Sequence, residues 1–515
     1  MPQDHYKTLN DAPYLNDDFY CHFVNELAHE IGASKPPKTL AITGYWGSGK
    51  TSALAQLFRR LTGKLPESIS NGWNNHSGAE SSIDSLHTTE QAPPLENYIG
   101  VWFEAWRYQH EEQPIVALLH AIKEEFSWLQ KLKTSGKKML DLTVLGSLSI
   151  FDSAIKVATK TSGDLKNMPK LAEKYEKDNL LATLPTDKIH LALKEAIDAL
   201  LSSQKSDATN NKPADKLLIF IDDLDRCQPQ AALKLLEGLK LYLSIPNCVI
   251  VMAIDQAQLE HAISSEFGES PQKYFMGVEY LEKLCQDAHR LPLMTQEKGA
   301  ALIKTELTRL LSITDGDETN IPLLSLLNDM EDIIHSSRCL PANPRRIKMI
   351  VNRLARHIRY ELRQSNNEQA DVNDSQWQLK IRGMLLLACL YVSYRQIYEQ
   401  LEWDIDFYDD LHKFSLPDST FSEDELKHSP LEGLRQPDVN THHIGEPPSD
   451  LSVLRPMKII QSMDDIEAKI QKELENRRLE NKTPISNSVI AERLRKQQND
   501  DFKAVLKQLI HAYNG

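Results

Sequence analysis

The chain has 515 residues, 41% hydrophobic and 26% charged, and this composition excludes a disordered, collagen-like or disulfide-scaffold protein. The six cysteines form no CxxC pair, which argues against a zinc ribbon and an oxidised secretory framework. The net charge of −14 argues against a surface built throughout to bind nucleic acid. Because the N-terminus lacks an apolar leader and no apolar run reaches the roughly 18 residues of a bilayer span, we expect a cytoplasmic protein without membrane helices.

Short apolar runs of strand type alternate with helical stretches over the first 295 residues. The predicted strands are Thr39–Thr43, Ile99–Phe103, Leu217–Ile221, Cys248–Ile254 and His289–Leu293. Such alternation predicts an α/β fold with a mostly parallel sheet covered on both faces. Two segments interrupt it and are predicted insertions: residues 65–94, which lack apolar periodicity, and residues 126–179, which are Lys-rich and helical in pattern.

After residue 295 the pattern predicts helices, at Glu297–Leu311, Ile321–His335, Pro344–Arg363 and Trp377–Leu401. We therefore predict three regions: an α/β core at 1–295, a helical lid or sensor domain at 296–400, and an acidic linker with a helical extension at 401–515. Residues 401–454 contain 13 Asp or Glu against 3 Lys or Arg. The last region is either an element that docks a partner or merely a solvated surface.

The first predicted strand is followed by GYWGSGKTS, which fits the pattern GxxxxGK[ST] between a strand and a helix. Glycines allow successive N–H groups to face a phosphate, Lys50 supplies a cation to the β and γ oxygens, and Thr51 offers a hydroxyl to Mg²⁺. The predicted nucleotide-binding residues of this loop are Gly44, Trp46, Gly47, Ser48, Gly49, Lys50, Thr51 and Ser52.

The third predicted strand ends in a cluster of three aspartates and an arginine. Asp222 is predicted to hold Mg²⁺ together with Thr51, and Asp223 to orient the attacking water, with Asp225 as the alternative base. Arg226 either pairs with Asp225 or Asp223 in its own chain or acts across a subunit boundary. Because three close carboxylates repel one another, a purely structural cluster is disfavoured.

Two further elements are candidates for sensing the γ-phosphate. Asp255 follows the fourth strand, where it either contacts the nucleotide or caps the next helix. A capping Asn343 and Pro344 open a basic helix, from which Arg345 or Arg346 is predicted to reach the phosphates. A face for nucleic acid or an acidic partner, and a solvated helix, are the alternatives for its positive charges.

With these motifs in place, the chain resembles the KAP family of P-loop NTPases, additional-strand NTPases that include antiviral defence ATPases of bacteria. The resemblance spans about residues 15 to 365. It rests, beyond the phosphate loop, on FEAWRYQHEEQPIVALLHAI (Phe103–Ile122), FIDDLDRCQP (Phe220–Pro229), VIVMAID (Val249–Asp255), YLEKLCQDAHRLPL (Tyr280–Leu293) and NPRRIKMIVNRL (Asn343–Leu354).

The resemblance implies ATP as the nucleotide, an extra strand between the two Walker strands, and Arg345 and Arg346 as the sensor. Many relatives carry transmembrane helices near the second insertion, where Leu142–Phe151 is too short to span a bilayer.

Three functions follow from these observations as alternatives. The first is an ATP-hydrolysing switch of antiphage defence, acting as a homo-oligomer with an effector protein docked through the C-terminal helices. The second is a nucleotide-gated scaffold with little turnover. The third is a DNA-acting motor or loader, which the net acidity of the chain disfavours.

Overall fold

The computed structural model describes residues 20–69, 98–111, 114–134, 216–242, 245–260, 287–313, 321–365, 375–415 and 487–514, with a few isolated positions elsewhere. The chain forms two compact units, an α/β unit of residues 12–292 and a helical unit of residues 293–515 together with 1–11. Most of both predicted insertions, and Leu142–Phe151, lie outside the described residues. Among the helices of the described ranges, none combines the length and apolarity that a bilayer crossing requires.

The α/β unit is built on a parallel sheet of five strands in the order β2-β3-β4-β1-β5. The strands are β1 Lys38–Thr43, β2 Ile99–Glu104, β3 Leu217–Asp222, β4 Cys248–Ile254 and β5 Asp287–Arg290. Strand β4 pairs in parallel with β1 on one side and with β3 on the other. The two strands that lead into the predicted Walker motifs are therefore separated by one additional strand, as the resemblance implies.

The last strand differs from its predicted bounds, since β5 is Asp287–Arg290 rather than His289–Leu293. The N–H of Leu291 still donates to the carbonyl of Thr43 at 2.8 Å. Pro292 then has no N–H to continue the ladder, so pairing ends there despite the apolar residues that follow.

Helices cover both faces of this sheet. The bounds are α1 Cys21–Ala33, α2 Lys50–Thr62, α3 Pro114–Thr134 and α4 Pro229–Tyr242. Side chains of β3 alternate between two buried clusters, with Leu217, Ile219 and Ile221 in one and Leu218 and Phe220 in the other. The second cluster also contains the buried apolar residues of α1 and most of those of α2. Because the side-chain period of a strand is two, Asp222 continues the alternation onto the α2 face.

The helical unit contains seven helices within the described ranges. They are α5 Gln296–Leu310, α6 Ile321–Ser337, α7 Pro344–Ser365, α8 Ser375–Ser393, α9 Arg395–Trp403, α10 Phe407–Ser415 and α11 Asn487–Asn514. The predicted helix Trp377–Leu401 is wrong as a single element, because the helix breaks at Tyr394. Residues 391 and 398 would lie about 10 Å apart along an unbroken helix.

The break brings Tyr391 and Tyr398 edge to face, with ring centroids 5.1 Å apart. The guanidinium of Arg353 lies 3.5 Å from the ring centroid of Tyr391 and 4.8 Å from that of Tyr398. Arg359 donates to the carbonyl of Leu310 at 2.7 Å. Two arginines of the basic helix α7 are thus used in packing within this unit, and a nucleic-acid face on α7 stays a prediction.

The C-terminal helix α11 packs against α8 at a glycine. A Cβ on Gly383 would lie 2.8 Å from Leu509 Cδ1 and 3.5 Å from Leu506 Cδ2. We expect Gly383→Leu to lower the free energy of unfolding by about 1–3 kcal/mol, because extra methyl groups overpack a filled interface. Thermal unfolding followed by circular dichroism measures the change. Gln378→Leu, at an exposed position of α8, is the matched control, and equal melting temperatures for the two variants would contradict the prediction.

Candidate nucleotide-binding site

The loop between β1 and α2 takes its shape from two glycines in the left-handed region. Gly47 has φ 82° and Gly49 has φ 96°, and α2 begins at the next residue, Lys50. Tyr20 clamps the loop from the start of α1, since its hydroxyl donates to the carbonyl of Ser48 at 2.6 Å. Burial raises the pKa of Tyr20 above its usual range, which keeps the hydroxyl protonated as a donor. Sequence analysis missed Tyr20, because no motif includes it.

The other predicted loop residues differ in exposure. Ser48 and Ser52 are buried, whereas the Trp46 side chain is 56% exposed. A Cβ on Gly44 would meet Ser48 Oγ at 2.6 Å, so the loop closes tightly at its first glycine. Direct contact of these residues with a nucleotide stays a prediction.

The ammonium group of Lys50 is held inside the loop. It donates to the carbonyls of Gly44 and Tyr45 at 3.0 and 3.2 Å, and it lies 3.0 Å from Asp225 Oδ2. The side chains of Lys50 and Asp225 are only 9% and 4% exposed. The structure thus pairs Asp225, the alternative base of the sequence prediction, with the lysine of the phosphate loop.

The two predicted metal ligands lie together. The hydroxyl of Thr51 donates to Asp222 Oδ1 at 3.2 Å. Burial, followed by the charge of Asp223, raises the pKa of Asp222 to about 7. A hydroxyl and a carboxylate supply the oxygen ligands that Mg²⁺ prefers, and a cation would stabilise a carboxylate whose charged form burial disfavours. These residues therefore fit Mg²⁺.

Asp223 turns the chain away from the end of β3. Its backbone is left-handed, with φ 56°, and its carboxylate lies 2.8 Å from Nε of Arg226. Of the two partners considered for Arg226 within the chain, the structure thus selects Asp223. Burial raises the pKa of Asp223, and the nearby Arg226 acts against this. A role of Arg226 across a subunit boundary stays a prediction.

Asp255 performs one of the two roles considered from the sequence, the capping of the next helix, and also contacts the phosphate loop. The N–H of Trp46 donates to Asp255 Oδ2 at 2.9 Å, and the N–H of Gln258 donates to Oδ1 at 3.4 Å. Its own N–H donates to Asp225 Oδ2 at 3.1 Å. Asp255 therefore caps the following helical turn and also joins the end of β4 to the phosphate loop. Sensing of a γ-phosphate stays a prediction.

The two predicted sensor arginines belong to the helical unit. Arg345 and Arg346 lie in the first turn of α7, where both backbone N–H groups donate to Asn343 Oδ1, at 3.1 and 3.3 Å. The predicted capping by Asn343 is thus confirmed. Their contact with a nucleotide stays a prediction.

Comparison with known proteins identifies a family and a distant relative. A family model described as the KAP family P-loop domain matches residues 20–361. An uncharacterized protein of Methanocaldococcus jannaschii is 27% identical over 172 residues, which cover 29% of this chain and 86% of the relative. The family match begins at Tyr20 and includes every candidate site residue, from the phosphate loop to Arg345 and Arg346.

Proposed function

The chain belongs to the KAP family of P-loop NTPases, and from this membership we propose that it is a Mg²⁺-dependent, ATP-hydrolysing switch. The observation that supports this most strongly is the meeting of the two Walker motifs at the carboxyl edge of the sheet. Two side-chain pairs join them, Lys50 with Asp225 and Thr51 with Asp222. A cation donor, a metal-type ligand pair and a glycine loop at a helix N-terminus are the parts that phosphoryl transfer requires.

In the proposed reaction the phosphate loop binds the β- and γ-phosphates through its backbone N–H groups and the N-terminus of α2. Mg²⁺, when bound at Thr51 and Asp222, supplies positive charge to the phosphate oxygens. Lys50 has three N–H donors, and three acceptors already face them: two loop carbonyls and Asp225. To contact a phosphate, Lys50 must therefore give up one of these acceptors. We propose that it gives up the Asp225 carboxylate, because a phosphate oxygen replaces one anionic acceptor with another.

The same exchange supports the second candidate, a nucleotide-gated scaffold with little turnover of its own. A lysine that is already paired with a buried carboxylate must give up that pair before it contacts a phosphate, and we propose this cost as the reason for slow turnover. In either form we propose homo-oligomeric assembly and an effector protein docked through the C-terminal helices. A role in antiphage defence is supported by the family resemblance.

The test is ATP turnover by the full-length protein, over a concentration series, beside Lys50→Ala. We expect Lys50→Ala to lower turnover at least about 100-fold, because the cation at the transferred phosphate is lost. Lys35→Ala, at an exposed lysine before β1, is the matched control and should retain turnover. A rise of specific activity with concentration would support an oligomer.

Three results would decide between the candidates. If Lys50→Ala turned over ATP as fast as the wild type, the assignment of the phosphate loop as the site of ATP hydrolysis would be contradicted. Tight ATP binding by the wild type, without Lys50-dependent turnover, would favour the scaffold. Absence of both binding and turnover would contradict the proposed function in either form.

A further inference from the structure

A second acid-and-arginine turn lies beside the one that follows β3. Strand β2 ends at Glu104 and runs into a 3₁₀ turn, in which Arg107 pairs with the Glu104 carboxylate. The turn after β3 repeats this spacing, because Arg226 pairs with Asp223 three residues before it. The N–H of Gln228 donates to Oε1 of Gln109 at 3.3 Å and so links the two turns.

Glu104 lies on the sheet face that carries the candidate metal ligands. In the parallel register of β2 and β3, Glu104 pairs with Asp222 and Trp102 with Phe220. Both aromatic rings contact Phe58 of α2, with centroids at 5.7 and 5.1 Å. Since the side-chain period of a strand is two, Glu104 and Asp222 project from this same α2 face, on strands about 4.8 Å apart.

The carboxylates after β3 are already bound to other groups of the site. Asp222 accepts from Thr51, Asp225 is buried against Lys50, and Asp223 is paired with Arg226. Arg107, the partner of Glu104, is more solvent-exposed than Lys50, the partner of Asp225. Arg107 is 58% exposed, and a pair of this kind is weak and readily broken.

The Glu104 carboxylate also has access to water. Its side chain is 18% exposed, close to the 21% of Asp223 and above the 4% of Asp225. Its charge contributes to the raised pKa of Asp223, which places the two acids within electrostatic reach of each other. A glutamate side chain is one methylene longer than an aspartate and extends further beyond the strand end.

We propose that Glu104 is a further catalytic residue, whose carboxylate orients the attacking water and accepts its proton. This assignment rests on the proposed ATPase function. The water oxygen forms a bond to the γ-phosphorus while the bond to the β–γ bridging oxygen breaks, and that electron pair leaves with ADP. The proton taken by Glu104 passes to solvent. Asp223 then acts as a positioning residue that holds Arg226.

The experiment compares Glu104→Gln with Arg107→Gln in the full-length protein. We expect kcat to fall by about 100-fold or more in Glu104→Gln, within the range that loss of a general base produces, while the Kd for Mg-ATP changes by less than about threefold. Arg107→Gln removes the same ion pair but keeps the carboxylate, so its kcat should stay within about threefold of wild type. Glu104→Asp keeps the negative charge on a shorter side chain, so its kcat should lie between those of Glu104→Gln and Arg107→Gln.

Several outcomes would overturn the assignment. One is a kcat for Glu104→Gln within about threefold of the wild-type value. Another is a fall of kcat in Arg107→Gln as large as that in Glu104→Gln. A third is a Glu104→Gln variant whose kcat is unchanged and whose only defect is weaker binding of Mg-ATP. If Glu104→Gln does not fold, Glu104→Asp decides, because unchanged turnover in it would contradict a requirement for precise reach. Wild-type protein without Lys50-dependent turnover would overturn the proposed function itself, and the Lys50→Ala arm separates that result from failure of Glu104 alone.

Discussion

Asp225→Ala is expected to lower the free energy of unfolding of the α/β unit by about 3–5 kcal/mol. The substitution leaves the Lys50 ammonium, whose side chain is 9% exposed, without the carboxylate 3.0 Å away. It also removes the acceptor of the Asp255 N–H, which lies in a part-buried bond of 3.1 Å. An isolated buried charge and an unsatisfied donor both disfavour the folded state. Urea unfolding followed by circular dichroism measures the loss of stability.

Two variants serve as controls for Asp225→Ala. Asp225→Asn keeps an oxygen acceptor for the Asp255 N–H, so the difference between the variants isolates that bond from the charge. Asp223→Ala removes a carboxylate whose pair with Arg226 is partly exposed, and it should cost less than about 1 kcal/mol. Equal unfolding midpoints for Asp225→Ala and Asp223→Ala would show that the Lys50 pair does not stabilise the unit.

Gly49→Ala is expected to weaken ATP binding by about 100-fold or more. Its φ of 96° lies in a region that L-residues with a Cβ disfavour, and the new Cβ would clash with Tyr20 Oη. The loop must then change shape, and its N–H groups no longer converge on a phosphate. Isothermal titration with Mg-ATP measures the loss of affinity.

Gly63→Ala is the matched control for Gly49→Ala. Gly63 follows the other end of α2 with φ 73°, so alanine there meets a similar backbone cost away from the phosphate loop. We expect this variant to lose stability but to retain ATP affinity. Adding Tyr20→Phe to Gly49→Ala removes the nearest clashing atom and should recover part of the affinity. Full affinity in Gly49→Ala alone would show that the left-handed glycine is dispensable.

The sequence predicted the location of the site more reliably than its side-chain pairings. Polar residues that follow parallel strands gather at one edge of a sheet. This rule is sufficient to predict that Thr51 and Asp222 lie close together. Three aspartates within four residues cannot be assigned separate partners by that rule. Their partners depend on the left-handed backbone of Asp223, which sends the chain into a 3₁₀ turn.

Other features had no local signal in the sequence. Tyr20 lies 28 residues before the carbonyl that it contacts, and only the packing of α1 places it there. The helix break at Tyr394 is favoured by the packing of Tyr391 and Tyr398 around an arginine of another helix. In both cases, long-range packing outweighs the periodicity on which prediction depends.

The position of β4 gives the nucleotide site a fixed width. Strands β1 and β3 lie two strand spacings apart, about 9 to 10 Å, and the contacts of Lys50 with Asp225 and of Thr51 with Asp222 must bridge that gap. Every residue of β4 is buried, and the hydrogen bonds of its backbone to both neighbouring strands set this spacing. A substitution in β4 that keeps this ladder should therefore leave the distance between the two Walker motifs unchanged, whereas a proline, which removes a ladder hydrogen bond, would disturb it.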